Sequence, residues 1–166
     1  MNLTLSLAAP ADAPALTVLH AAVAADLTLR HGPGFWSHAP TERGVLFSLQ
    51  HARIIIALEG QTIVGTLRLA TKKPWAIDVS YFTPVKKAIY LTGMAVVPRL
   101  QRRGIGRQLL KEAAAQARAW PADAIRLDAF DAAAGAGPFY ARSGFRETAR
   151  VIYRKDPLIY FEFLLS

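Results

Sequence analysis

Cysteine is absent from the 166 residues. Its absence excludes disulfides, thiolate zinc sites and a cysteine nucleophile, and it suits a reducing cytoplasm. Long apolar runs are missing as well: none reaches the roughly 18 uninterrupted residues that a membrane span needs. The N-terminus lacks the Lys/Arg-rich start of a signal peptide, and Pro10, Asp12 and Pro14 interrupt its apolar stretch. A soluble cytoplasmic protein is therefore expected, with no membrane partner. The four histidines, His20, His31, His38 and His51, show no paired ligand spacing, so no metal site is expected. There is no Gly-x-Ser-x-Gly nucleophile elbow. Acidic side chains are scarce, 12 against 20 Lys and Arg, which leaves a net charge of +8 and a pI near 10.2. Such a surface attracts anions, whether nucleic acid, acidic membrane or a phosphorylated cofactor.

A hydrophobic share of 52% supports a continuous core, and no repeat, low-complexity tract or linker divides the chain. Residues 1–166 read as one domain. Alternation predicts a first strand over 2–7. Asp12 is placed to cap a long Ala/Leu-rich helix running to about Arg30, which Gly32, Pro33 and Gly34 break. Thr41 and Glu42 open a shorter helix ending near His51. Strands follow at 54–58 and 63–71 around a turn at 59–61. The connection over 72–87 is long and rich in aromatics, which argues for an ordered, functional loop. A strand over 88–97 stops at Pro98, and Ile105, Leu109, Ala113, Ala117 and Trp120 recur at helical spacing over 104–120. A strand at 125–130, a short helix to Ser143 capped by Gly144, and strands at 145–154 and 158–165 around Asp156-Pro157 complete the chain. The fold class is α/β: one mixed, mostly antiparallel sheet of about seven strands with about four helices.

Part of the positive charge gathers in Arg99, Arg102, Arg103, Arg107 and Lys111, at one strand-to-helix junction. Unpaired amides at a helix N-terminus, aided by the helix dipole, form an anion site. Gly104 and Gly106 allow a pyrophosphate close to the main chain. The three arginines nearest it, Arg102, Arg103 and Arg107, can add charge-assisted hydrogen bonds. A P-loop is excluded, because no Gly-Lys-Ser/Thr follows. A dinucleotide-binding turn would need a third glycine in an early βαβ unit.

The run from Tyr90 to Leu110 resembles the acetyl-CoA-binding core of the GNAT superfamily of N-acetyltransferases. Gln101, Gly104 and Gly106 match that family's Gln/Arg-x-x-Gly-x-Gly/Ala signature, and Met94, Ala95, Val96 and Pro98 match the strand before it. Ala136, Phe139, Tyr140, Gly144 and Phe145 resemble a second block of the family, in the right order downstream. The resemblance implies a splay between the strands at 88–97 and 125–130, with Gly93 compatible with a bulge. It implies acetyl-CoA (coenzyme A) held by Met94, Ala95 and Val96 along the pantetheine arm. The stretch Gln101, Arg102, Arg103, Gly104, Ile105, Gly106 and Arg107 would hold the pyrophosphate, with Phe139, Tyr140 and Arg142 from the second block. It further implies that the Met94 amide faces the thioester carbonyl, and that Tyr140 protonates or hydrogen-bonds the departing thiolate.

The chain also departs from the family pattern. Ala133 stands where asparagine is frequent, and Thr92 stands where many members carry a carboxylate base. Pro138 and its neighbouring glycines shorten or kink the helix bearing Tyr140. Asp128 either faces the cleft or pairs with Arg126. For the acceptor, Trp75, Asp78, Tyr81 and Phe82, with Phe35 and Trp36 as facing walls, suit a cationic or amphipathic amine, a small molecule before a protein. With no carboxylate at Thr92, water is expected to take the amine's proton. The apolar last strand either pairs between subunits, giving a homodimer, or closes the sheet. The rival readings are an acyl-CoA-binding sensor that has lost transferase activity and a basic nucleic-acid-binding domain; the second lacks any recognisable nucleic-acid motif.

Overall fold

The computed structural model describes residues 1–165. Seven strands form one sheet: β1 (Leu3–Leu7), β2 (Arg53–Glu59), β3 (Thr62–Ala70), β4 (Ala88–Val96), β5 (Ala124–Phe130), β6 (Arg146–Tyr153) and β7 (Asp156–Leu164). The helices are α1 (Ala13–His31), α2 (Glu42–His51), α3 (Ile105–Ala119) and α4 (Gly137–Arg142). The spatial order is β1-β2-β3-β4-β5-β7-β6, so the last strand inserts between β5 and β6. The α/β class, strand count and helix count expected from the sequence are all present. The parallel ladder of β4 and β5 pairs only Ala88–Tyr90 with Ala124–Arg126, although β4 runs on to Val96 and β5 to Phe130. Pairing ends there, as the expected splay requires.

Two compact units make up the chain. One comprises Met1–Leu69 with Gly93–Glu112; the other comprises Ala70–Thr92 with the chain from Ala113 onward. In the first, Ala13 and Leu16 of α1, Val45 of α2, and Ile54 and Ile56 of β2 pack as a buried cluster. The amphipathic spacing of the helices and the apolar run of β2 meet there. Thr41 caps α2 by accepting from the Gly44 amide at 3.1 Å, as its position predicts. Asp12 does otherwise. It precedes α1, but its carboxylate turns back to accept from the Ala9 amide at 2.7 Å and leaves α1 without a side-chain cap. The 3-10 turn Pro10–Asp12 offers that nearer donor. Gly65 allows close packing of α3 on β3: a Cβ there would stand 3.0 Å from Ile105 Cγ2 and from Leu109 Cδ1.

In the second unit, Ile77 and Phe82 of the 72–87 connection pack against Tyr90 and Tyr160. The Tyr160 hydroxyl donates to Ala76 O and accepts from the Asp78 amide. The connection is thus ordered, as its aromatic content suggests. The closing hairpin turns one pair of residues earlier than expected. Arg154 and Lys155 take the left-handed conformation, with φ of 48° and 74°, while Asp156 and Pro157 belong to β7, paired with Tyr153 and Ile152. Two positive-φ residues give the two-residue turn whose twist matches antiparallel strands. Pro157, near the start of its strand, is tolerated there.

Candidate functional site

In the first unit, Gly93 within β4 takes a left-handed φ of 61° while the strand continues to Val96. Glycine adopts that conformation inside a strand without steric cost, and it turns the chain where Met94 begins. Ala95 is buried, whereas Met94 and Val96 are half-buried. Beyond β4, the Val97 amide donates to Val64 O at 2.9 Å and a short 3-10 turn, Pro98–Leu100, leads away. The Gln101 side chain donates to Val96 O at 3.0 Å, tying the loop back to the strand end. This signature residue therefore braces the junction with its side chain.

Arg102 and Gly104 both take positive φ, 65° and 86°. The Gly104 carbonyl accepts from the Gln108 amide at 3.1 Å, the first turn of α3. The amides of Ile105, Gly106 and Arg107 then occupy the first helical turn, where no intrahelical acceptor exists. Ile105 is 1% exposed and anchors the helix start by its side chain, so it has only its backbone to offer a ligand. Arg102, Arg103 and Arg107 are exposed around this turn. A Cβ on Gly104 would meet nothing within 4 Å. Glycine is required there by conformation, and the space before the main chain is open. This junction fits a phosphorylated ligand.

His20 of α1 lies in the same unit. A Cβ on Gly93 would stand 3.9 Å from His20 Cε1. Burial pushes the imidazole below its ordinary range, so it is neutral at neutral pH. Its distance in sequence from the other histidines carries no metal signal. Its signal was helical: Leu16, His20 and Ala24 recur every four residues along the inward face of α1. Phe35 and Trp36 sit on the 3-10 turn Phe35–Ser37 after α1. Phe35 is 56% exposed, and Trp36 donates its indole N–H to Gly32 O at 2.8 Å.

In the second unit, Tyr140 on α4 is buried, its ring 5.4 Å from Phe139, 5.7 Å from Phe145 and 6.0 Å from Phe161. Pro138 lies in the first turn of α4, where no amide donor is needed, so it starts the helix without kinking it. Gly144 follows α4 with φ of 92°, the expected left-handed end. Burial, with the charge of Asp128 second, pushes the Tyr140 phenol far up, and burial also raises Asp128. Tyr140 is therefore neutral throughout the working range. Arg142 is exposed and Phe139 half-buried.

Arg126 does not pair with Asp128. Its guanidinium donates to Tyr90 Oη at 3.1 Å and to Thr83 O at 2.9 Å, and lies 5.2 Å from the Phe82 ring centre. Among the acceptor candidates, Trp75 is 83% and Tyr81 51% exposed, while Phe82 is buried and stacked on Tyr160 at 5.1 Å. The exposed Asp78 carboxylate accepts from Ser80 N at 3.0 Å and Ser80 Oγ at 2.7 Å, and these hydrogen bonds hold it below the usual carboxylate range. No group of three or more His, Cys, Asp or Glu able to hold a metal occurs among the described residues. No helix among them is long and apolar enough to cross a membrane.

The model of the Acetyltransferase (GNAT) family matches residues 22–145, and the chain belongs to that family. Among solved structures, the ribosomal-protein-S18-alanine N-acetyltransferase of Escherichia coli is 16% identical with a TM-score of 0.74, covering 99% of this chain and 95% of that one. The PaiA N-acetyltransferase of Thermoplasma acidophilum, in complex with coenzyme A, is 14% identical with a TM-score of 0.74, over 98% and 100% of the two chains. YncA of Salmonella typhimurium, with its cofactor acetyl-CoA, is 19% identical with a TM-score of 0.70, over 99% and 94%. No curated protein matches the chain.

Proposed function

We propose that residues 1–166 act as a single acetyl-CoA-dependent N-acetyltransferase domain that passes an acetyl group directly to an amine. The observation that carries this reading is the β4–α3 junction: left-handed Gly104, open space before it, first-turn amides at Ile105, Gly106 and Arg107, and three exposed arginines beside them. A pyrophosphate suits that set of donors, since the helix dipole and the arginines both favour negative charge. The main chain of Met94, Ala95 and Val96 would hold the pantetheine arm. Acetyl-CoA supplies an activated acetyl thioester.

The remaining chemistry belongs to the chain. The Met94 amide would steady the carbonyl oxygen as negative charge grows on it, a contribution largest where water is excluded. Tyr140, with a phenol much less acidic than a thiol, acts as a hydrogen-bond donor to the leaving sulfur more than as a full proton donor. Exposed aromatic Trp75 and Tyr81, with the carboxylate of Asp78, form the acceptor wall for a cationic amine. Two measurements test the reading. Acetyl-CoA should raise the thermal midpoint, and free thiol should be released in an amine-dependent way from a panel of amines. No midpoint shift and no thiol release with any amine would overturn it.

A further inference from the structure

We infer that His20 takes the proton from the acceptor amine, the part that no carboxylate on β4 is present to play. The inference rests on the acetyl-transfer reading and deepens it by naming the base. Its geometry is local to the first unit. The imidazole edge stands against Gly93, where a side chain's first carbon would come within 3.9 Å of Cε1. Gly93 is exposed and His20 only half-buried, so both reach solvent. The next peptide along carries the Met94 amide. Between Gly93 and Val96, β4 has no titratable side chain, and Thr92 is not basic at neutral pH.

Burial alone, and no charged group on the elements packed against α1, sets the direction in which this imidazole is shifted. Those elements are α2, with exposed Glu42, Arg43 and His51; β2, with half-buried Arg53 and exposed Glu59 at its two ends; the Phe35–Ser37 turn, with none; the Pro10–Asp12 turn, with Asp12 bonded to Ala9; and the Pro98–Leu100 turn, with exposed Arg99. Burial is the cause of its lowered pKa. A neutral imidazole beside exposed Gly93 is in the protonation state a base needs before turnover.

In the reaction, an acceptor ammonium gives one proton to the imidazole, which exposes the nitrogen lone pair. The C–N bond forms and the C–S bond of the thioester breaks, its electron pair going to sulfur. The nitrogen's surplus proton leaves to water, sulfur takes one from water, and the imidazolium releases its own to solvent.

The test has one arm independent of turnover. In protein labelled at histidine 13Cε1, the His20 resonance should titrate below the ordinary histidine range and shift when acetyl-CoA is added, while those of exposed His31, His38 and His51 stay put. In kinetics, His20→Gln should lower kcat/KM at neutral pH about 10²-fold. The break that His20 gives the acidic limb should disappear, and activity should climb about tenfold per pH unit all the way toward the amine's own pKa. Acetyl-CoA KM and thermal midpoint should stay near wild type, and His51→Gln should leave the profile unchanged. If acetyl transfer proceeds but the His20 resonance ignores saturating acetyl-CoA, or His20→Gln keeps the wild-type pH profile, the assignment of the base is overturned and the transfer reading stands. If acetyl-CoA neither shifts the midpoint nor loses its acetyl group to any amine, the transfer reading fails, and this inference with it.

Discussion

Glu162 of β7 accepts both the backbone N–H and the hydroxyl of Thr83, at 3.3 and 2.9 Å, although 79 positions separate them. The same oxygen accepts from Arg146 at 2.7 Å. On the neighbouring strand, Arg126 stands opposite Glu162 in register and donates to the Thr83 carbonyl. Thr83 is thus held at its amide, hydroxyl and carbonyl by two charged side chains that are 1% and 6% exposed. This clasp and the Tyr160 hydroxyl pin both ends of the aromatic connection.

Removing Glu162 takes the acceptor away from the half-buried amide and hydroxyl of Thr83 and from Arg146. Glu162→Ala is expected to destabilise the protein by about 2 kcal/mol in urea unfolding. Arg146→Ala, at a side chain that is 67% exposed, should cost under about 1 kcal/mol. Equal losses for the two variants would refute the clasp.

Gly104→Glu separates folding from cofactor binding. The new side chain meets no heavy atom within 4 Å of its Cβ, so the fold should survive with only the left-handed strain, about 1–2 kcal/mol. Bulk and negative charge then occupy the anion site. Acetyl-CoA should no longer raise the thermal midpoint of the folded variant. A retained wild-type shift would move the phosphate site away from α3.

Tyr140→Phe keeps the ring contacts with Phe139, Phe145 and Phe161 and removes only the hydroxyl. The expected result is a fall in kcat of about 10²-fold with little change in acetyl-CoA affinity. Because the phenol's pKa is raised, the hydroxyl stays protonated across the assay range, and its loss should lower kcat evenly from pH 6 to 9. Wild-type kcat across that range would leave Tyr140 a packing residue.

Asp78→Asn tests the acceptor wall while sparing the turn, because an asparagine oxygen can still accept from Ser80. The carboxylate is held below its usual range first by those Ser80 hydrogen bonds. Any stability it lends is therefore present above the unfolded carboxylate pKa and is lost as pH falls through the lowered folded value. Near neutral pH the variant should stay as folded as wild type, raise the acceptor KM several-fold, and leave the acetyl-CoA KM unchanged. Unaltered Michaelis constants would confine Asp78 to its turn.

The linear order of amino acids determined what depends on near neighbours. Helical recurrence of Ile105, Leu109, Ala113 and Ala117 marked α3, Thr41 marked the start of α2, and Gly104 and Gly106 marked the helix start that could receive a phosphate. These are local choices of backbone angle and of which face turns inward, so spacing alone discloses them. Even locally, two competitions were decided by geometry: Asp12 took the nearer Ala9 amide over a cap on α1, and the last hairpin turned at Arg154-Lys155. The insertion of β7 between β5 and β6, the clasp of Thr83 by Glu162 and Arg126, and the meeting of His20 with Gly93 were decided only by the tertiary structure. Each joins residues far apart in sequence, and their pairing depends on sheet order and burial of whole elements, which no local spacing encodes.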